Sequence, residues 1–150
     1  CAAPGGKSLA IADAMGRGRL VALDEPGPRL DRLKENLNRV GNDVQVALMP
    51  GDLRRAGPRF FAEFNLPETY DAALLDAPCS NTGVMRHRID VKWRLREGDF
   101  ARHASQQVAL LRATARLVRP GGRLVYSTCS IEHEENEAVV RQFLAATRGW

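Results

Sequence analysis

Disulfide and membrane features are missing from this 150-residue sequence. Its three cysteines are Cys1, Cys79 and Cys129, and an odd number of widely spaced thiols argues against a disulfide framework. No apolar run approaches the roughly 20 residues that a membrane-spanning helix needs, and the first residues lack the order of a signal peptide. We therefore expect a cytoplasmic protein with reduced thiols and no membrane partner.

Common metal and phosphate patterns are also absent. Histidines accompany the thiols, but the sequence has neither the C-x-x-C nor the H-E-x-x-H spacing of zinc sites. A Walker A loop needs a glycine five residues before Gly6, where Cys1 stands, and the G-x-G-x-x-G spacing does not occur. We therefore predict no metal site, and the sequence disfavours a phosphate-binding loop.

Neither sign of charge dominates the composition. Lysine and arginine total 22 and aspartate and glutamate total 18, which gives a net charge of +4 and a pI near 9.3. A small positive excess permits a polyanionic partner such as RNA or DNA. An arginine-rich proteome produces the same balance without any nucleic acid, so composition leaves both interpretations open.

What the sequence does contain is an alternation of strand and helix patterns, which is typical of a mostly parallel sheet with helices on both faces. Short aliphatic runs predict strands over residues 19–23, 44–48, 70–75 and 123–128. Helical spacing predicts helices over residues 8–14, 30–40, 59–64, 100–118 and from about 130 to 144. Gly41 is predicted to cap the second helix, and Pro120 with Gly121 and Gly122 to end the fourth. No linker or repeat is visible, so we predict one α/β domain over residues 1–150.

One strand of this fold is expected outside the sequence. A doubly wound nucleotide-binding sheet has a strand directly before its first glycine-rich turn, and here Cys1 already lies in that turn. We therefore expect a truncated Rossmann-like domain without its first strand and its terminal hairpin. The loss of a central strand would leave its neighbours with unpaired backbone groups.

The glycine-rich turn is the first candidate binding feature. Small residues followed by paired glycines allow the backbone to approach a ligand at the N-terminus of the helix that follows. The turn consists of Cys1, Ala2, Ala3, Pro4, Gly5, Gly6 and Lys7.

Three acidic residues stand where predicted strands end. Asp24 follows the first strand about 20 residues after the glycine turn, a common place for a carboxylate that binds ribose hydroxyls. Asp52 stands just after the second strand and Asp76 closes the third, along the edge where open α/β sheets bind ligands. Each aspartate could simply begin a turn, but their shared position favours a binding site.

Two cysteines also follow predicted strands, in Asp-Ala-Pro-Cys-Ser (76–80) and Ser-Thr-Cys-Ser (127–130). The ordinary alternative for a cysteine is a buried structural role. We assign that role to the Cys1 thiol, while Cys1 also belongs to the glycine-rich turn. Covalent catalysis needs a partly ionised thiol. Cys129 precedes the last predicted helix, whose N-terminus would favour the thiolate, and Glu132, Glu134 and Glu135 are expected to stabilise that same helix end.

A basic segment follows Cys79 and surrounds Trp93. Cations for phosphate and an aromatic face for a base are the pairing expected of an RNA-binding surface. The alternative is a solvated basic loop with Trp93 in the core. The candidate RNA-binding residues are Arg86, Arg88, Lys92 and Arg94, with His87 and Arg96 nearby.

In these motifs the chain resembles the NOL1/NOP2/Sun family of RNA cytosine-5 methyltransferases, and most closely its bacterial ribosomal RNA branch, the Sun or RsmB proteins. The resemblance spans nearly the whole sequence. It rests on residues 1–7, Asp24, Gly51-Asp52 and residues 76–83, 90–93 and 126–136.

The resemblance implies an S-adenosylmethionine-dependent methyltransferase acting on RNA, with 16S ribosomal RNA as the expected substrate. It implies that residues 1–7, Asp24, Asp52 and Asp76 surround S-adenosylmethionine. Cys129 would form the covalent adduct to the target cytosine, Cys79 would assist its release, and Asp76 would also lie close to the base. DNA cytosine-5 methyltransferases resemble the other arrangement, with the nucleophile in the Pro-Cys motif.

Two other functions remain to be separated from this one. A methyltransferase for small molecules or amino groups could share the fold and cofactor loop, but it leaves both cysteines unexplained. A non-enzymatic RNA-binding module would keep the basic segment without turnover. The sequence departs from the family pattern at Ser8, where threonine is usual, and in the stiff connection Glu25-Pro26-Gly27-Pro28.

Overall fold

The computed structural model describes residues 1–38 and 43–150, and within these all side chains except those of Pro58 and Arg59. The chain forms two compact units, Cys1–Ala56 and Gly57–Trp150, each described by itself below. Over the described residues the first unit contains α1 (Gly6–Met15), β1 (Arg17–Asp24), α2 (Pro28–Leu37) and β2 (Asp43–Pro50). The second contains α3 (Pro58–Ala62), β3 (Tyr70–Asp76), α4 (Asp90–Arg94), α5 (Asp99–Ala115), β4 (Val118–Ser127) and α6 (Glu137–Ala146). Short 3-10 helices lie at Leu53–Arg55, Thr82–Val84 and His133–Glu135.

The first unit is built on a parallel pair of strands. β1 and β2 pair without a shift, from Arg17 opposite Asp43 to Asp24 opposite Pro50. A small core of Ala3, Ala22, Leu33 and Leu37 joins the glycine-rich turn, β1 and α2. Gly5 permits this packing, because it has a φ of 112° and a Cβ there would lie 2.8 Å from Leu33 Cδ1.

The second unit repeats the arrangement on a longer scale. β3 and β4 are parallel, and their last five pairs run from Ala72 opposite Arg123 to Asp76 opposite Ser127. The amphipathic helix α5 packs on both strands and on α6. Its buried side chains include Val108, Leu110 and Leu111, while α6 contributes Val139 and Phe143. This packing fixes the ends of β3 and β4 side by side.

The predicted strands and the first helices agree with these elements to within a few residues. Val40 and Gly41, predicted as the end and cap of the second helix, lie outside the described residues. The single domain over residues 1–150 stays a prediction. Among the described residues, no helix combines the length and the apolar character needed to cross a membrane.

The predicted end of the long helix is wrong. α5 ends at Ala115, and Val118, Pro120, Gly121 and Gly122 belong to β4. The strand bulges here, because one residue of β3 stands between the pairs Tyr70–Val118 and Ala72–Arg123, whereas β4 has four. A bulge tolerates proline, and Gly121 supplies a φ of 73°, so residues that look like helix terminators instead shape a strand.

The predicted start of the last helix is also wrong. α6 begins at Glu137, seven residues after Ser130, and only a 3-10 turn precedes it. Asn136 holds the intervening loop, since its Nδ2 donates to the carbonyls of Ser130 (3.0 Å) and Glu132 (2.8 Å). Thr128 Oγ1 donates to Asn136 Oδ1 at 2.8 Å. Side-chain bonds to the backbone therefore replace the expected first helical turns.

Gly122→Ala is expected to destabilise the second unit. A Cβ at Gly122 would lie 2.6 Å from Val118 Cγ1 and 2.8 Å from the Asp71 carbonyl oxygen, too close for either to be kept unmoved. We expect a loss of about 1–3 kcal/mol in the free energy of unfolding, measured by urea denaturation of the full-length protein. Gly57→Ala is the matched control, because no described heavy atom outside its two chain neighbours lies within 4 Å of its Cβ position. Equal midpoints for the two variants would contradict this account of the bulge.

Candidate active site

The two cysteines after β3 and β4 meet in the second unit. Parallel strands end at the same edge of a sheet, and the register places Asp76 beside Ser127, so the following loops leave together. Cys79 Sγ and Cys129 Sγ lie 3.1 Å apart, and both are free thiols. The two cysteines that the sequence places after predicted strands are therefore in contact in the fold.

The environments of the two thiols differ. Cys79 is buried, with 7% of its surface exposed, whereas Cys129 is only partly buried. Burial, reinforced by the side-chain contact with Cys129, raises the pKa of the Cys79 thiol to about 11. The raised pKa favours the protonated form of Cys79, and Cys129 is the less buried thiol of the pair.

Asn81 bridges the two cysteines. It has a φ of 64°, a left-handed conformation that asparagine tolerates better than most residues. Its Nδ2 donates to the Cys79 carbonyl at 3.0 Å, and Cys129 Sγ donates to its Oδ1 at 2.9 Å. Sequence reasoning did not single out Asn81, although it lies inside the family-like stretch 76–83. Its turn conformation only becomes informative once the thiols are known to be adjacent.

Gly83 allows the loop after Cys79 to touch the backbone at Cys129. The Gly83 N–H donates to the Cys129 carbonyl oxygen at 3.0 Å, and a Cβ would lie 2.8 Å from that oxygen. Glycine is therefore required for this close approach.

Asp76 is held at the end of β3 by its neighbour on β4. Ser127 Oγ donates to Asp76 Oδ1 at 3.0 Å, and the Ala77 N–H donates to the Ser127 carbonyl at 2.8 Å. The predicted catalytic residues Cys79, Cys129 and Asp76 therefore all come from the two loops that leave these paired strands.

The prediction that a helix N-terminus directly follows Cys129 is wrong, because α6 starts only at Glu137. Glu135 does not stabilise a helix end as predicted, since its side chain is fully buried. Burial alone would raise the pKa of the Glu135 carboxyl, but hydrogen bonds from Ser130, Ser80 and Gln107 outweigh it and lower that pKa. Glu135 is therefore a buried carboxylate, which the sequence pattern did not reveal.

The glycine-rich turn lies in the first unit. Gly5 directly precedes α1 and has no side chain with which to cap the first helical turn. Apart from its chain neighbours and the backbone of α1, no described heavy atom lies within 4 Å of the position of a Cβ on Gly6. The turn is held against β1 and the core, because Ala3 is buried and the Ala2 N–H donates to the Leu23 carbonyl at 3.1 Å. An uncapped helix N-terminus with open space in front can accept ligand oxygens.

Asp24 and Asp52 have different surroundings in the same unit. Asp24 is buried, and its two oxygens accept the N–H groups of Ala3 (2.7 Å) and Glu25 (2.8 Å). Asp24 therefore orders the glycine-rich turn. Asp52 is bound in bidentate fashion by Arg54, at 2.9 Å and 2.8 Å, and the hydrogen bond from Arg54 lowers the pKa of the Asp52 carboxyl.

The basic segment of the second unit is exposed. Trp93 is 79% exposed, so the alternative that placed it in the core is wrong. Lys92 Nζ lies 5.5 Å from the centre of the Trp93 ring, within the range of a cation–π contact. Arg88 and Arg94 both pair with Asp90, at 3.3 Å and 3.2 Å, and Arg86 is exposed beside them.

No group of three or more histidine, cysteine or acidic side chains with the geometry of a metal site occurs in the part of the chain that the structure describes. The absence of a metal from the function stays a prediction.

Comparison with known proteins places these residues in a family. The model of the family described as 16S rRNA methyltransferase RsmB/F matches residues 1–150. The chain is 41% identical over 98% of its length to ribosomal RNA small subunit methyltransferase B of Klebsiella pneumoniae (strain 342), and 42% identical over 97% of its length to that of Sodalis glossinidius (strain morsitans). It spans 32% of the length of each.

A solved structure extends the likeness to the fold. NSun6 from Pyrococcus horikoshii, determined with SFG, an analogue of S-adenosylmethionine, matches with a TM-score of 0.79 and 34% identity. The match covers 97% of this chain and 35% of NSun6. The predicted α/β, Rossmann-like methyltransferase fold is therefore confirmed. With the family model matched from end to end, the chain belongs to the 16S rRNA methyltransferase RsmB/F family.

Proposed function

We propose that this chain supplies the catalytic residues of an S-adenosylmethionine-dependent enzyme that methylates carbon 5 of a cytosine in 16S ribosomal RNA. The family match and the names of the relatives support the rRNA methyltransferase activity. The observation that carries the cytosine-5 chemistry is the thiol pair, with Cys129 accessible and Cys79 buried 3.1 Å away.

Carbon 5 of cytosine is a poor nucleophile, and covalent addition of a thiolate to the ring makes it reactive. The thiolate of Cys129 adds to carbon 6, which forms an S–C6 bond and turns carbon 5 into an enamine-like carbon. S-adenosylmethionine supplies the electrophilic methyl group for carbon 5 and leaves as the thioether. Water takes the proton from carbon 5, its electron pair restores the C5–C6 double bond, and the S–C6 bond breaks so that Cys129 leaves as a thiolate.

The two thiols divide these steps according to their environments. A nucleophile must reach the base and ionise, and Cys129, the less buried of the two thiols, is the better placed to reach it. The Cys79 thiol stays protonated because its pKa is raised to about 11, so it does not compete for carbon 6. We assign Cys79 to release of the adduct, and Asp76, which Ser127 holds at 3.0 Å, to the vicinity of the target base.

The first unit has features suited to S-adenosylmethionine. The uncapped N-terminus of α1 and the open space at Gly6 suit the polar end of the cofactor, with Cys1, Ala2, Ala3, Pro4, Gly5, Gly6 and Lys7 as the proposed contacts. Asp24 contributes by fixing the turn through its bonds to Ala3 and Glu25, and we also propose it as the partner of a ribose hydroxyl. Asp52 is paired with Arg54, so we propose that the two side chains contact S-adenosylmethionine together.

The exposed basic segment is the proposed RNA contact in the second unit. Arg86, Arg88, Lys92 and Arg94 supply cations for phosphate, and the free face of Trp93 suits stacking on an unpaired base. A ribosomal RNA substrate in turn supports a cytoplasmic location.

Cys129→Ala is expected to abolish methyl transfer in the full-length protein. Removing a covalent nucleophile typically costs 1,000-fold or more in kcat, so we expect a loss of at least about 1,000-fold. Transfer of labelled methyl groups to 16S rRNA measures the effect, with the exposed Ser105→Ala variant as the matched control. Retained turnover would favour a methyltransferase of another substrate class, and RNA binding without cofactor binding would favour a non-enzymatic module.

Cys79→Ala is expected to trap the covalent intermediate. Methyl transfer to carbon 5 does not need Cys79 in this scheme, but loss of the adduct does. A protein–RNA species that survives denaturing electrophoresis should therefore accumulate, and it should vanish in the Cys79→Ala, Cys129→Ala double variant. A Cys79→Ala enzyme that turns over without a stable adduct would remove the role given to Cys79.

The two thiols are expected to differ in their pH dependence. Because the pKa of Cys79 is raised from an ordinary 9.0 to about 11, its thiolate fraction at pH 8 is about 100-fold lower than that of an ordinary thiol. Site-resolved alkylation followed by mass spectrometry should show the Cys79 rate still rising between pH 9.5 and 10.5, where free glutathione has levelled off. Burial lowers the alkylation rate of Cys79 by the same factor at every pH, so it does not change the shape of the pH profile. A Cys79 profile that levels off at the same pH as that of glutathione would contradict the raised pKa of Cys79.

A further inference from the structure

Glu135 is a fully buried carboxylate beside the thiol pair that the chemistry above does not use. Burying a carboxylate is costly unless several donors compensate it. The amide of Ser80 donates to Glu135 Oε1 at 2.9 Å, and Gln107 Nε2 donates to the same oxygen at 3.0 Å. Ser80 Oγ donates to Glu135 Oε2, and the Ser130 hydroxyl also bonds to the carboxylate.

The position of these donors in the chain is the informative feature. Ser80 directly follows Cys79, and Ser130 directly follows Cys129. Glu135 therefore holds the residue next to each thiol, across 55 residues of sequence on the Cys79 side. Gln107 connects Glu135 to the other side of Cys79, since its Nε2 also donates to the carbonyl of Pro78, one residue before Cys79, at 2.9 Å.

A second layer of hydroxyl groups connects the same two loops. Ser80 Oγ lies 3.3 Å from Ser130 Oγ, and Thr82 Oγ1 lies 3.1 Å from Ser130 Oγ. The Ile131 N–H donates to Thr82 Oγ1 at 3.1 Å. Tyr126 Oη donates to the Glu135 carbonyl at 2.7 Å and so attaches the 3-10 turn that carries Glu135 to β4.

We propose that Glu135 is a positioning residue that sets the placement of Cys79 against the Cys129 adduct, an inference that rests on the proposed function. Ser80 gives Glu135 both its amide and its hydroxyl, whereas Ser130 gives only its hydroxyl. Cys79 therefore depends on Glu135 more than Cys129 does. Loss of the carboxylate should impair release of the adduct more than attack on the base.

Glutamine at this position is a sharp probe because it keeps the shape of glutamate. Its amide nitrogen cannot accept a hydrogen bond, so either the Ser80 hydroxyl or the two donors on Oε1, from Ser80 and Gln107, lose their acceptor. The Glu135→Gln change therefore loosens the Cys79 loop without deleting volume from the interior. Glu134→Gln, the exposed neighbour, is the matched control.

The experiment is a single turnover of the full-length protein with 16S rRNA and methyl-labelled S-adenosylmethionine. The rate of methyl transfer and the rate at which the denaturation-resistant adduct disappears are measured separately. For Glu135→Gln we expect methyl transfer within about threefold of wild type and adduct release slowed at least about tenfold, although both cysteines are present. A general loss of folded protein would lower both amplitudes and leave the ratio of the two rates unchanged.

The outcomes separate this inference from the proposed function. Turnover retained by Cys129→Ala would overturn the covalent scheme itself. If Cys129→Ala is inactive and Cys79→Ala traps the adduct, an unchanged ratio of release to transfer in Glu135→Gln would overturn the role of Glu135 alone. Ser80→Ala removes the hydroxyl that contacts Glu135 and Ser130 but keeps the amide bond from Ser80 to Glu135, so it gives a second reading if Glu135→Gln does not fold. Ser80→Ala should also slow adduct release, by a smaller factor than Glu135→Gln. An unchanged ratio of release to methyl transfer in Ser80→Ala would also overturn the inference.

Discussion

The parallel pairing of β3 with β4 is the constraint on which the candidate active site depends. Nothing in the local chain brings Cys79 close to a residue 50 positions away, whereas the register of Asp76 beside Ser127 does so at once. The register depends in turn on the bulge near Gly122, which absorbs extra residues of β4 before the regular pairs begin. A glycine far from the thiols thus contributes to the 3.1 Å between them.

Sequence reasoning located the strand ends because a buried strand has a simple signature. An aliphatic run stops at a polar residue, and Asp24, Asp76 and Ser127 mark such stops. It was wrong about the end of α5, because Val118 continues the helical spacing of the residues before it. Only pairing with Tyr70, a tertiary interaction, turns Val118 into the first residue of a strand.

The roles of individual polar residues were harder to predict for the same reason. A run of glutamates before an apolar helix looks like a set of partners for a helix dipole, and Glu134 and Glu137 are indeed exposed. Glu135 differs because Ser80 and Gln107, distant in sequence, supply its donors. Asn81 was missed for a related reason, since its amide matters only where both cysteines are within its reach. Such residues become visible when the fold brings their partners together.

The difference between the two thiols follows from burial and not from their local sequences. Each cysteine precedes a serine and follows a strand by two or three residues, so the two motifs look alike. Two thiols at 3.1 Å present a chemical problem, because either thiolate could attack the base and each could react with the other under oxidation. Burial of Cys79 favours its protonated form, which leaves the accessible sulfur as the nucleophile in the proposed scheme.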